Sequence, residues 1–383
     1  MTTIITIGFI QALFFAVLAL SKRQKETVDY YVAALFLFLC IHLSVNFILF
    51  TDYKYRFPHV IGTAGPLSLL YGPLLFFFIK NYLSPRHRFK TKYLLHFVPF
   101  LADHVHNAFI LYFKSGAEKI AVLESIIAGK PDAALSLTIM LQTMSPVIYC
   151  IWSILVLKAH RRNVLKLYSF TDDALKLRWL WYLTWSMLIV AAIALITNII
   201  IVLFDVADWV QLRLYVMTIV AIWVFLLGYY SVRKTPFYRS YPVAGMDTLD
   251  DDDDEASEKY GKTRLRDEEI QPMKDKLMEY LHGEKPYFNK NLTIGELATA
   301  IDVQPYQLSQ LINGTLGQSF FELINSMRVE EVQHRFFEPQ YSRFTLPGIA
   351  MDCGFNSKAS FNRIFKQITG QTPTEFIKSK SSA

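Results

Sequence analysis

Seven uninterrupted apolar runs dominate the first part of the chain, near residues 4–20, 30–50, 66–83, 93–113, 134–157, 181–204 and 212–232. Each is long enough to cross a hydrocarbon core of ~30 Å, which takes about 20 helical residues. Inside lipid, backbone N–H and C=O groups have no water to bond, so a spanning segment is a helix or part of a closed barrel. These runs make this region read as an all-helical bundle. Tyr30, Tyr93, Trp181, Tyr182, Trp209, Tyr229 and Tyr230 fall near run ends, where amphipathic rings suit headgroup depth. Gly72-Pro73 and Pro146 are the expected kink positions.

The Lys/Arg distribution orients the bundle. One set of connections carries Lys22, Arg23, Lys25, Lys80, Arg86, Arg88, Lys90, Lys92, Lys158, Arg161, Arg162, Lys166, Lys176 and Arg178. The alternate set carries Lys54, Arg56, Lys114, Lys119, Lys130 and Arg213. Fourteen against six places the first set in the cytoplasm. Seven spans then put the N-terminus outside, and Arg233 and Lys234 put the C-terminal part inside. The first run reads as a retained span. Its flank Met1-Thr2-Thr3 has no positive charge, and Lys22 and Arg23 follow it, the reverse of a signal peptide.

Polar side chains within the runs are the clue to what the bundle senses. His42 and Asn46 share one helical face, and Asp103, His104, His106 and Asn107 sit mid-run with His96 ahead of them. Ionisable groups at that depth are costly and face the bundle interior or a wet cavity. One reading is a ligand pocket made by His42, Asn46, Asp103, His104 and Asn107. The other is hydrogen bonding between helices. Neighbouring helical residues point about 100° apart, so the Asp-His-x-His run is a poor metal cage, and no metal or cofactor is expected. Cys40, Cys150 and Cys353 are too scattered for a disulfide or metal framework and read as small buried hydrophobes.

Periodicity lapses over residues 234–267. Pro236, Pro242 and Gly245 break structure, and the six acidic residues at 250–255 repel one another, so the stretch reads as a disordered acidic linker. Such a chain spans roughly 30 Å, more with self-repulsion.

Beyond it one pattern is written twice. Ile294, Leu297, Ala298 and Ile301 form a helical stripe, and Leu346, Ile349, Ala350 and Cys353 repeat its spacing. A short turn follows each: Asp302-Val303-Gln304, then Gly354-Phe355-Asn356-Ser357. A second stripe then begins, Leu308/Leu311/Ile312 in one copy and Phe361/Ile364/Phe365 in the other. Two helices crossing over a tight turn form the unit that lays its second helix in a DNA major groove. Ile270, Met273, Leu277, Tyr280 and Leu281 mark a helix ahead of the first unit, ending at Gly283. Phe320, Leu323, Ile324 and Met327 mark a connecting helix. Thr293-x-x-Glu296 and Thr372-x-x-Glu375 are capping boxes, and Thr345 is a cap for the second unit.

Residues of about 270–379 resemble the DNA-binding domain of the AraC/XylS family of bacterial transcription regulators. The resemblance rests on Leu297-Ala298, Leu308-Ser309, Gly317-x-Ser319-Phe320 and Ile324-Asn325-x-x-Arg328-x-Glu330-Glu331. Above all it rests on Ile349-Ala350-x-x-Cys353-Gly354-Phe355-x-Ser357-x-x-x-Phe361-x-Arg363-x-Phe365-Lys366-x-x-Thr369-Gly370-x-Thr372-Pro373. It implies two helix-turn-helix units on a long connecting helix, reading successive major-groove segments on one face of double-stranded DNA. Carried over by position, the first unit presents Tyr306, Gln307, Ser309 and Gln310, and the second Ser357, Lys358, Asn362, Arg363 and Lys366. Gln pairs with adenine and Arg or Lys with guanine, while Lys and Arg also hold phosphates. The chain departs from the family in places. Gln304 stands where Ser or Thr usually caps, Gln310 and Asn313 where basic residues are common, and Gly348 where Glu would complete a cap. The second unit is therefore expected to supply most of the salt-dependent affinity.

The sequence thus predicts an all-α chain in three parts: a seven-span sensor or anchor over 1–233, the linker over 234–267, and a double helix-turn-helix domain over 268–383. The expected function is a one-component transcription regulator, not an enzyme, in the bacterial inner membrane. Its partners would be promoter DNA, membrane lipid and a small-molecule or extracytoplasmic signal. Dimerisation would be one way to couple signal to affinity. Two alternatives stand beside it: a passive anchor whose linker is cleaved to release the reader, and a transporter or membrane enzyme with a regulatory tail.

Overall fold

The computed structural model describes residues 2–83, 90–128, 133–169, 177–204, 209–233 and 267–381. The acidic linker, Arg86, Arg88, Lys130 and Lys176 lie outside them. Regular structure among the described residues is helical, and the one β-type feature is an isolated antiparallel bridge between Tyr168 and Thr293. Contacts divide the chain into two compact units, 1–157 with 178–244 and 158–177 with 245–383.

In the first unit the helices are α1 (Thr2–Leu20), α2 (Thr27–Leu49), α3 (Ala64–Leu83), α4 (Val98–Asn107), α5 (Gly116–Ala128), the bulk of α6 (Ala133–Leu167), α7 (Arg178–Leu203) and α8 (Trp209–Arg233). Among the described residues six helical stretches are long and apolar enough to cross a membrane: Thr2–Leu20, Thr27–Leu49, Thr91–Tyr112, Ala134–Leu167, Arg178–Leu203 and Trp209–Gly228. The sequence reading counts seven. The difference is α3, which is helical as expected but carries Gly65, Pro66, Gly72, Pro73, Lys80 and Asn81 among its apolar residues. Its apolar side chains, Leu74 to Ile79 included, are buried against neighbours. The other stretches leave large apolar groups uncovered, such as Ile10, Phe14, Phe109, Leu155 and Ile189. Water penalises such surface and lipid does not.

The fourth expected span is not one regular helix. A 3-10 stretch (Thr91–Phe97) leads into α4, and a π-type turn (Ala108–Tyr112) follows. Pro99 in its first turn lacks an N–H, consistent with a change of helix type there. At Gly72 a side chain would bring its Cβ within 2.6 Å of the Tyr149 ring, so the glycine lets α3 and α6 approach closely. Between the fourth and fifth spans the sequence shows only a connection, but the structure forms α5 there. Tyr55 Oη donates to Glu124 Oε1 at 2.7 Å, tying α5 to the short helix Tyr53–Arg56 that follows α2.

Helix α6 is 35 residues long, about 52 Å at 1.5 Å per residue, well beyond the ~30 Å hydrocarbon core. It outruns the expected span by ten residues, ending at Leu167 rather than 157. The extension belongs to the second compact unit.

That unit contains α9 (Asp267–Gly283), α10 (Ile294–Ala300), α11 (Pro305–Gln310), α12 (Phe320–Phe336), α13 (Leu346–Asp352), α14 (Lys358–Thr369) and α15 (Pro373–Ser381). Helix α12 is apolar on two faces. Phe320, Leu323, Ile324 and Met327 enter a core with Leu277, Leu281, Leu297, Ala298, Leu308, Leu311 and Ile312. Phe321, Val329 and Val332 enter a second core with Ile349, Ala350, Cys353, Phe355, Phe361, Ile364 and Phe365. Each core is one helix-turn-helix unit, and one helix is shared by both.

Candidate nucleic-acid interface

The two units are built alike down to backbone angles. Thr293 Oγ1 accepts the Glu296 N–H while Glu296 returns a bond to the Thr293 N–H, opening α10. Thr345 Oγ1 accepts the Gly348 N–H, opening α13 without the reciprocal half, because Gly348 has no side chain. After each first helix the chain turns through positive φ at the equivalent residue, Asp302 (+53°) in one unit and Gly354 (+93°) in the other. The next residue then bonds back five positions: Val303 N–H to Ala298 O, and Phe355 N–H to Ala350 O. Asp is among the few side chains that tolerate the left-handed region when the surroundings are open. At Gly354 they are not: a Cβ would lie 2.4 Å from Tyr287 O and 3.0 Å from Arg328 Nε.

Helix α14 in the second unit is strongly amphipathic. Phe361, Ile364 and Phe365 are buried, while Lys358, Asn362, Arg363 and Lys366 are exposed. Ser357 caps the helix by accepting the Ser360 N–H at 3.1 Å, so its oxygen is engaged locally. Gly370 (φ +77°) ends it. The face offers three cations and one amide, the chemistry that grips phosphates and reads purine edges.

In the first unit α11 is only six residues long and passes into a wide π-type turn, Leu311–Thr315. Tyr306 is exposed, whereas Gln307, Ser309 and Gln310 are half-buried. Gln307 Oε1 accepts the Gln304 N–H at 3.2 Å, the reciprocal half of a capping box. Asn313 Nδ2 donates to Ser309 Oγ at 3.2 Å and to Ser309 O at 2.7 Å. Two of the four candidates in this unit thus spend polar atoms on their own turn, and the face holds no cation.

Sequence reasoning gave no role to Asn325 and Arg328, though both stand in the string quoted for the resemblance. Both are 1% exposed. Arg328 uses all five of its N–H donors, to Tyr287 O (2.7 Å), Asn289 O (2.7 Å), Asn325 Oδ1 (3.3 Å), Ser169 O (3.1 Å) and Ser169 Oγ (3.1 Å). Burial pulls its pKa down to about 10, which leaves it charged at neutral pH. Next to it, burial pushes the Cys353 thiol up to about 12, so that cysteine is an inert core residue.

Of the polar groups singled out in the first compact unit, one joins two helices. Asp103 Oδ2 accepts from Gln142 Nε2 at 2.7 Å, bonding α4 to α6. Asn46 Nδ2 donates to His42 O one turn back. The His42 ring sits 5.8 Å from that of Tyr71, and the His104 ring 4.5 Å from that of Phe100. Nδ1 of His42 and of His104 are buried and make no hydrogen bond among the described residues. Asn107 is half-buried at the end of α4. No group of three or more His, Cys, Asp or Glu able to hold a metal occurs among the described residues.

Comparison with known proteins agrees with this geometry for the second unit. Residues 297–379 match the helix-turn-helix domain family. Over 90 residues the chain is 33% identical to a protein of Staphylococcus aureus (strain COL) described as an uncharacterized HTH-type transcriptional regulator. The same identity relates it to its counterparts in strains MSSA476 and N315. These matches cover 24% of this chain and 12% of the length of those relatives. No solved structure matches. The C-terminal region is therefore a helix-turn-helix domain homologous to those of transcriptional regulators.

Proposed function

We propose that the chain is a membrane-embedded one-component transcription regulator of AraC type. In this reading 1–233 spans the bilayer and receives the signal, 234–267 is a flexible spacer, and 268–383 reads promoter DNA on the cytoplasmic side. One observation carries the DNA half of the reading: Lys358, Asn362, Arg363 and Lys366 share the exposed face of α14, whose other face is locked into a core. The six long apolar stretches support the membrane half. DNA contact is assigned to Ser357, Lys358, Asn362, Arg363 and Lys366, with Tyr306, Gln307, Ser309 and Gln310 reading a second groove segment. Unit two supplies the phosphate grip, since the reading face of unit one presents no cation.

Footprinting the full chain, solubilised from membranes, on the promoters of neighbouring genes tests the assignment. Two protected segments on one face of the duplex, about one helical turn apart, are expected. Lys366→Ala should weaken binding to all sequences alike and lower the slope of log affinity against log salt by about 1. A Lys366→Ala loss confined to one operator position would refute its phosphate role. A C-terminal tag reached by reagents from outside the intact cell membrane would refute the orientation.

A further inference from the structure

The end of α6 and the residues after it pack against both cores of the helix-turn-helix domain, half-buried at Leu165 and Leu167 and fully buried at Ser169. Leu167 packs on the core of the first unit and Leu165 on that of the second. Tyr168 pairs with Thr293, the cap of α10. Ser169 is 0% exposed, and every polar atom it has is bonded. Its N–H (3.3 Å) and hydroxyl (2.8 Å) both donate to Leu292 O. Its carbonyl accepts from Arg328 (3.1 Å) and from Asn325 Nδ2 (2.8 Å), and its Oγ accepts from Arg328 (3.1 Å).

The place of these bonds matters as much as their number. Arg328 and Asn325 lie on α12, the helix common to both units. Arg328 also binds Tyr287 O and Asn289 O ahead of the first unit, and it lies against Gly354 in the turn of the second. Ser169 therefore completes the joint where the two units meet. If it leaves, two of the five Arg328 donors and one Asn325 bond are left open in a buried site. Buried polar groups are costly when unpaired, so the joint would loosen or repack.

We propose that residues 165–169 form an intramolecular strap that seats in the joint between the two helix-turn-helix units and fixes their relative arrangement. Because the strap continues α6, whatever displaces that helix acts on the joint directly, and the acidic linker need carry no signal. The proposal rests on the DNA-binding reading only for its consequence. With the strap seated, both units are preorganised to meet successive groove segments, and with it withdrawn that ordering must be supplied at binding.

A cysteine pair, Tyr168→Cys with Thr293→Cys, tests the seat in the full-length chain in membrane vesicles. Facing residues of an antiparallel pair have Cα atoms ~4.5–5.5 Å apart, inside the range a disulfide bridges. Mild oxidation should give a bond within one chain, mapped by peptide mass and absent from either single variant. No bond, or bonds only between two chains, would overturn the strap. The second arm releases it with Leu165→Glu and Leu167→Glu together. Specific DNA affinity should fall about tenfold or more and the footprint should contract to one segment. Adding the cysteine pair and oxidising should restore both, and reducing agent should remove the rescue. Unchanged affinity and footprint in the released chain would overturn the coupling. Should the double variant not accumulate, Ser169→Ala, which removes only the hydroxyl, is read the same way. If the wild-type chain leaves no footprint on any DNA while the disulfide forms, it is the DNA-binding reading that has failed, not the seat.

Discussion

Gly354→Ala should open the second helix-turn-helix unit, raising the rate at which Cys353 reacts with a thiol reagent in the native chain by roughly 30- to 700-fold. The figure is a loss of about 2–4 kcal/mol expressed as an opening equilibrium. Two costs add. A φ of +93° lies outside the regions a side chain occupies without strain, which costs of order 1–3 kcal/mol. The new Cβ would also sit 2.4 Å from Tyr287 O and 3.0 Å from Phe288 O, both backbone atoms that cannot swing aside, so the 287–288 segment must shift. Cys353 reports on this site because it is fully buried in the same core. Its thiol is held well above the usual range by burial, so it labels only when the unit opens. Asp302→Gly at the matching turn of unit one is the control. That residue is exposed at φ +53°, and the substitution should change stability by less than about 1 kcal/mol, with no gain in Cys353 labelling. Equal labelling of Gly354→Ala and wild type would show that the joint has slack that the close approach at Gly354 denies.

Most of the fold was legible because period and punctuation agree along the chain. Every apolar position assigned to the two stripes of the first unit is buried, and so are Ile349, Ala350, Cys353, Phe361, Ile364 and Phe365 in the second. The capping residues Thr293, Thr345 and Thr372 accept the bonds their spacing implies. What stayed hidden depends on contacts distant in sequence. Lys158 to Lys166 reads as a charged connection, since Lys158, Arg161, Arg162 and Lys166 outweigh the leucines between them. Nothing local shows that Leu165 and Leu167 have cores to meet more than a hundred residues later. Helix α5 is hidden for a like reason: its helix formers form a short stretch between two long apolar runs that dominate the local pattern. The seven-span count met a limit of composition, because α3 is shielded by its neighbours and can carry more polar residues than a lipid-facing helix. At the interface the exposed cations of α14 follow from its stripe. The engagement of Ser309 follows only from how α11 widens into the π-type turn that carries Asn313, whereas that of Gln307 is a local bond at the start of α11.

Arg328→Met should be the most damaging single change to the domain, costing about 3–5 kcal/mol, because it keeps the stem's bulk and removes all five donors at once. Tyr287 O and Asn289 O would lose the bonds Arg328 gives them, and Ser169 Oγ its acceptor role. Each stranded buried acceptor costs about 1–3 kcal/mol, less where another donor remains, as Asn325 does for Ser169 O. The guanidinium has no carboxylate partner in this set. Its five acceptors are all neutral, and burial already works against its charge, so removing the charge itself returns part of the loss. Arg328→Lys separates the two contributions. It keeps a cation but offers one compact head in place of a planar fork, and so cannot reach Tyr287 O, Asn289 O and Ser169 together. Chemical denaturation followed by Cys353 labelling should therefore order the chains as wild type, then Lys, then Met. The strap disulfide between residues 168 and 293 should form more slowly in both variants, since each leaves Ser169 fewer partners. If Arg328→Met were as stable as wild type, water would be reaching those carbonyls, and the joint between the units would be a wet contact rather than the packed seat described above.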